Sequence, residues 1–150
     1  MQRYDFIFVG RSGSSSDAYT VLRNDYLQRL KRYVDVRVYW IREQGQTNES
    51  KEIIKKIQEV DILIILDEKG KSLSSQNLAR RLESWRDQGR RRYAFVIGGA
   101  DGLAEEIKSR ATWLFSLSEL TLPHKLAHVL LLEQLYRSHT ILEGEPYHRQ

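Results

Sequence analysis

The sequence predicts an α/β domain whose mostly parallel sheet carries helices on both faces. Three observations predict it. Strand-like and helix-like segments alternate almost from end to end. Tyr4–Val9, Val60–Leu66 and Tyr93–Ile97 are nearly continuous apolar runs, as expected of strands buried on both faces. Polar or glycine-rich stretches follow these runs, and a helical period begins soon after each. At 150 residues the chain is long enough for one ordinary domain, and no linker, repeat or low-complexity tract divides it, so residues 1–150 are read as one unit.

Tyr4–Val9 is the first strand, ending at Gly10, and Arg11–Ser16 is a serine-rich loop. From Asp17 to Arg32, Ala18, Leu22, Tyr26 and Leu30 recur at helical spacing. Val34–Ile41 alternates Val34, Val36, Val38 and Trp40 with Asp35, Arg37 and Tyr39, which reads as a strand with unequal faces. Asn48 is placed to cap a helix reaching about Glu59. Val60–Leu66 is the third strand, followed by a charged turn at Asp67–Gly70; Ser74 or Ser75 then caps a helix ending near Gly89. Tyr93–Ile97 runs into the Gly98–Gly102 turn and a short helix over Leu103–Ser109. Thr112–Leu117 is the last strand, and Pro123 starts a helix reaching about His139.

Composition narrows the function classes. With 41% hydrophobic and 29% charged residues the chain is an ordinary globular protein, and no apolar run approaches the ~18 residues a membrane helix needs. Met1–Asp5 leads directly into a strand, so no signal peptide is expected and the location is read as cytoplasmic. The absence of cysteine removes disulfides, thiolate metal sites and cysteine nucleophiles. The net charge of +4 leans towards a polyanionic partner. Its basic residues gather in two segments, Arg23 to Arg32 and Arg80 to Arg92, which suit either solvated helix faces or a nucleic-acid surface.

Leu126, Val129, Leu130, Leu131, Leu132 and Leu135 point around most of the final helix, which must therefore be covered on most sides. A homodimer is the economical reading; a helix buried deep in a monomer is the alternative.

Several stretches have the residue types that chemistry needs. Gly98-Gly-Ala-Asp-Gly102 lacks the dinucleotide-binding spacing, yet lets backbone come close to a bulky ligand; a tight strand-to-helix turn also explains it. Asp67–Lys71 has adjacent carboxylates without a nearby histidine and reads as a solvated turn. His124 and His128 share the i, i+4 spacing of zinc helices but lack the accompanying glutamate, and no metal is expected. Glu133 and Arg137 are one helical turn apart, which suits a simple ion pair or part of a site. The ending Pro146-Tyr-His-Arg-Gln150 combines a stacking ring, a group that moves protons near neutrality and a phosphate-binding cation. Being short, polar and terminal, it is expected to add little to stability.

Taken together, Phe95–Leu103, Ser116–His124, Leu132-Glu-Gln-Leu-Tyr-Arg137 and the Pro146–Gln150 ending resemble the RlmH-type branch of the SPOUT methyltransferases. The resemblance implies a C-terminal trefoil knot, a homodimer and methylation of N3 of a pseudouridine in 23S ribosomal RNA, with ribosomal RNA or the assembled ribosome as partner. It implies an S-adenosylmethionine pocket formed by Leu66, Gly98, Leu117, Ser118, Glu119, Leu120, Thr121 and Leu122, with Asp67–Lys71 as wall. It also points to Glu133, Arg137, Tyr147, His148 and Arg149 as the residues of the chemistry, with His148 the candidate base. His128 departs from the pattern, because relatives commonly carry arginine there. The rival readings are a SPOUT enzyme acting on another RNA such as tRNA, and a non-catalytic nucleotide-binding regulatory module.

Overall fold

A computed structural model describes residues 1–149; Gln150, the last residue of the ending singled out above, lies outside the described residues. Ten elements alternate along the chain: β1 (Arg3–Val9), α1 (Ala18–Leu30), β2 (Asp35–Ile41), α2 (Gln46–Lys56), β3 (Ile62–Lys71), α3 (Ser75–Asp87), β4 (Arg92–Ile97), α4 (Glu105–Lys108), β5 (Trp113–Phe115) and α5 (His124–Leu142). The strands form one sheet in the order β2-β1-β4-β3-β5, and every pairing is parallel. No helix among the described residues is long and apolar enough to cross a membrane.

Strand alternation divides the interior in two. Tyr4, Phe6, Phe8, Tyr93 and Phe95 point to one face, where they pack with α3 and α5 residues such as Leu78, Leu82, Leu131 and Leu135. Ile7, Val9, Leu63, Ile65 and Val96 point to the other, against Ile53 and Ile57 of the α2 region and Ile107 of α4. Both sheet faces are covered along β1, β3 and β4, which is why those strands read as nearly continuous apolar runs, whereas the edge strand β2 alternates.

Three expectations need correction. Asn48 does not cap α2. The helix starts at Gln46 after Gly45, whose φ of +86° favours glycine, and the nearby Gln44 N–H donates to the buried Glu49 carboxylate at 2.8 Å. Asp67–Gly70 is not a free turn either. β3 continues through it, slips register between Leu66 and Lys71, and rejoins β5 at Phe115. A side chain at Gly70 would come within 2.7 Å of the Leu114 carbonyl, so the bulge depends on backbone lying against backbone.

The third correction concerns α5. Its apolar circumference does not require a second subunit, because α5 packs against both α1 and α3 with the sheet beneath it. Leu131, Leu132 and Leu135 are completely buried within one chain, while Leu126 is 37% exposed.

The end of α5 decides where the tail goes. Glu143 is the last residue with helical geometry, and Gly144 follows at φ +68°. The Gly144 N–H donates to Ile141 O at 3.2 Å and the Glu145 N–H to Thr140 O at 2.8 Å, the paired bonds of a Schellman motif. This reversal carries residues 145–149 back along the helix. Glu145 is then pinned to the end of α1 by the Tyr33 hydroxyl, which donates at 2.7 Å, and by Arg32 at 3.7 Å. Burial and that bond push the Tyr33 phenol up to about 12.

Candidate active site

A cavity of about 310 Å³ opens at the carboxyl ends of three neighbouring strands, β4, β3 and β5. That edge is where parallel α/β sheets leave room for ligands, because successive loops diverge there. Leu66 and Asp67 come from β3, Gly98, Gly99 and Gly102 from the turn after β4, and Ser116–Ser118 from the loop after β5. Leu120 and Leu122 complete the apolar wall, and His124 and Ala127 close it from the first turn of α5. Of the residues predicted for this pocket, Leu66, Gly98, Leu117, Ser118, Leu120 and Leu122 line it. Glu119 and Thr121 lie exposed on the same loop and are not among the lining residues.

The glycine floor is packed closely by its own surroundings. A Cβ at Gly98 would sit 2.8 Å from Leu103 Cγ and 3.2 Å from the Gly102 carbonyl carbon; one at Gly99 would sit 3.0 Å from Val9. The constraint thus comes first from the turn itself. At the mouth, Asp67 pairs with Lys108 at 3.1 Å and accepts from the Lys69 N–H at 2.9 Å. The backbone bond, and after it Lys108, hold the Asp67 carboxyl below its ordinary range, so it stays ionised as half of an ion pair in the pocket lining. Lys108 was not foreseen, since nothing in its spacing links it to Asp67.

A second cluster lies further along α5. Glu133 Oε1 accepts from Arg137 Nε at 2.9 Å and Nη2 at 2.6 Å, and from the Tyr147 hydroxyl at 3.2 Å. Glu133 Oε2 accepts from Gln134, whose own side-chain oxygen accepts from Ser75 at 2.6 Å. Arg137 also lies over the Tyr147 ring at 4.8 Å and reaches His148 Nδ1 with Nη1 at 3.1 Å. Tyr147 meets Tyr136 edge-on at 4.7 Å, and its hydroxyl is 3.4 Å from that of Tyr26. Burial, then the Tyr26 hydroxyl and the Glu133 charge, push the Tyr147 phenol up from its ordinary value, so it stays protonated. Arg149 is exposed beside the cluster.

The structure therefore brings Glu133, Arg137, Tyr147 and His148 together, and it corrects the expectation of a tail that adds little. Tyr147 is partly buried against the main core, Tyr136 and Gln134 of the Leu132–Arg137 signature join it, and Tyr26 is a partner that no local pattern announced. The cluster and the cavity are separate in one chain. Ala127 lines the cavity, and Arg137 lies ten residues on, about 15 Å further at about 1.5 Å per residue.

The histidine pair on α5 divides its roles. His124 borders the cavity, whereas His128 is buried, stacked on Phe8 at 4.2 Å and edge-on to Trp40 at 5.7 Å. Burial above all, with Arg23, His124 and Lys125 nearby, lowers the His128 imidazole to about 3. Neutral and wedged between rings, it serves as packing. Among the described residues no group of three or more histidine, cysteine, aspartate or glutamate side chains is placed to hold a metal.

The basic segments are likewise split. Arg23 is buried, donates to Ser12 O at 2.8 Å and lies over Trp40, so it belongs to the framework. Arg32, Arg86 and Arg91 instead converge on a cavity of about 520 Å³ at the amino ends of the strands, beside His139 and Glu145.

Comparison with known proteins identifies the family and the fold. A family model described as "Predicted SPOUT methyltransferase" matches residues 3–148. The chain is 38% identical to the ribosomal RNA large subunit methyltransferase H of Acetivibrio thermocellus, over 84% of this chain and 87% of that protein. It is 40% identical to the protein of the same name from Koribacter versatilis, over 95% and 94%. A solved structure of a probable methylase family protein from Haemophilus influenzae superposes with a TM-score of 0.60 at 12% identity, covering 99% of this chain and 70% of that one, and so shares the fold.

Proposed function

The chain belongs to the SPOUT methyltransferase family, and from that premise we propose that it methylates N3 of a pseudouridine in the 23S RNA of the large ribosomal subunit. It is an RNA methyltransferase acting on large-subunit ribosomal RNA, as its relatives are named. The finer assignments of methyl donor, acceptor atom, knotted C-terminal segment and cytoplasmic location are part of the proposal. The observation that carries it is the cavity at the ends of β4, β3 and β5, which fits S-adenosylmethionine in size and chemistry. Backbone of Gly98, Gly99 and Gly102 reaches its lining, its leucines flank an apolar face, and Asp67, Glu68, Lys69 and Lys108 give it groups of both charges for a ligand that itself carries both.

When bound there, the sulfonium supplies an already reactive methyl group, which leaves the protein the tasks of alignment and charge control. Leu66, Gly98, Leu117, Ser118, Leu120 and Leu122 would hold the donor. Glu133, Arg137, Tyr147, His148 and Arg149 would hold the acceptor nucleotide, Arg149 through phosphate. Reacting atoms must approach to about 3–3.5 Å, and the ~15 Å of α5 between cavity and cluster does not allow that within one chain. A homodimer in which each tail cluster faces the partner's cavity resolves the difficulty, and this separation is a better reason for a dimer than the leucines of α5.

The test incubates the purified chain and methyl-labelled S-adenosylmethionine with ribosomes and with tRNA from cells lacking this methylation. Label at a pseudouridine in 23S RNA is expected. Label in tRNA would overturn the substrate assignment, and absence of donor binding by calorimetry would overturn the methyl-donor pocket.

A further inference from the structure

We propose that His148 takes part in the reaction as a hydrogen-bond donor through Nε2 and never as the base, because Arg137 fixes its tautomer. Arginine has donors only, so the 3.1 Å contact from Arg137 Nη1 requires a lone pair on His148 Nδ1. A neutral imidazole with a bare Nδ1 carries its single ring proton on Nε2. Arg137 is not at liberty to turn away. Glu133 grips Nε and Nη2 at 2.9 and 2.6 Å, and the guanidinium lies over the Tyr147 ring. Glu133 is itself held by Gln134 and Tyr147.

The other ring nitrogen completes the argument. His148 Nε2 is buried and meets no hydrogen-bonding group of the protein. A buried donor without an acceptor is costly, so the arrangement is complete only when an acceptor atom is presented to it. The inference rests on the proposed acceptor, a uracil-type imide. There N3 lies between two carbonyl oxygens, and both take up negative charge when N3 loses its proton. His148 Nε2–H bonds to one of those oxygens and favours the anion. The balance is simple. The N3–H bond breaks, its electron pair stays on the imide and the proton passes to water. The N3 pair then bonds the methyl carbon as its bond to sulfur breaks, with that electron pair going to sulfur. His148 keeps its proton throughout. Arg137 is the positioning residue that makes it a donor.

Two measurements decide this. Long-range proton–nitrogen correlation on the full chain with 15N-labelled histidine, assigned by the signal lost in His148→Ala, should show a protonated Nε2 and a bare Nδ1. A proton on Nδ1 would overturn the proposal. His148→Gln can accept from Arg137 and donate onward but cannot take up a proton, whereas His148→Ala can do neither. With matched melting curves, the glutamine variant should methylate ribosomes at least about tenfold faster than the alanine variant, since losing one such donor costs about 10²–10³. Equal rates would leave His148 a base or mere packing and sink the idea. A wild-type chain that labels no ribosomal RNA would instead defeat the functional reading, while the nitrogen measurement, made without substrate, would still decide the tautomer.

Discussion

The cavity and the tail cluster are built in opposite ways. The cavity is made by chain path: three parallel strands end side by side, and the loops leaving them supply backbone and apolar wall with few side-chain bonds. The tail cluster is made by side chains from α1, α3, α5 and the last residues, joined through the one carboxylate of Glu133. A site made by chain path is sensitive to volume and turn geometry. A site joined through a single carboxylate is sensitive to the loss of one charge. Perturbing each should leave the other intact.

The largest effect is expected from Arg137→Met. It removes the cation from Glu133 and frees His148, and methyl transfer should fall by about 10²–10³ while S-adenosylmethionine affinity by calorimetry stays within about twofold. Loss of donor affinity would show that the two regions are one. Gly98→Val is the reverse test. The added carbons collide with Leu103 and the Gly102 backbone, so the turn must shift, at a cost of about 1–3 kcal/mol, and donor binding should be lost. The His148 ring signals should not move.

Acid sharpens the contrast through the two buried histidines of α5. His128, near the cavity end, lies at about 3, and His139, near the tail end, at about 4, both lowered first by burial. A folded value below the unfolded one, about 6.5, means that the unfolded chain binds the proton more readily. Stability is therefore fully present above about pH 6.5 and falls as the pH drops towards 4 and 3, by about 2 kcal/mol per histidine at pH 5. Denaturant melts from pH 7 to 5 check this, and His128→Leu should flatten the dependence. An unchanged slope would mean that His128 is not held neutral by burial.

The smallest effect is on stability when residues 147–150 are deleted. Losing the Tyr147 packing and its bonds should cost about 1–2 kcal/mol, or roughly 2–6 °C, with donor binding retained and methyl transfer lowered no less than in Arg137→Met. A melt identical to that of the intact chain would mean that the tail is not docked in solution.

The same difference explains what the sequence could reveal. The strands and their order of appearance were legible from periodicity, whereas Leu66, Gly98 and the Leu117–Leu122 loop were named as pocket residues through the family resemblance. Glu119 and Thr121 lie exposed on the loop that carries the lining residues Ser118, Leu120 and Leu122, and a loop written as one stretch does not say which of its side chains meet the cavity. The bulge at Asp67–Gly70 was missed because its charged composition matches an exposed turn, and only the proximity of Leu114 shows why glycine stands there. The parts of Tyr26 and Ser75 were missed because their links to the tail cluster join residues far apart in the sequence. The leucines of α5 misdirected the dimer argument because helical periodicity cannot tell a second subunit from two flanking helices.

The Schellman motif at Gly144 gives α5 a rotational phase as well as an end. Each residue added between Arg137 and Gly144 would turn the exit point by about 100° around the helix axis. One insertion would send the tail out on a different flank, away from Arg137 and Tyr136. The spacing from the arginine to the glycine thus works as a gear setting, and in this stretch a change of length is more disruptive than a change of residue.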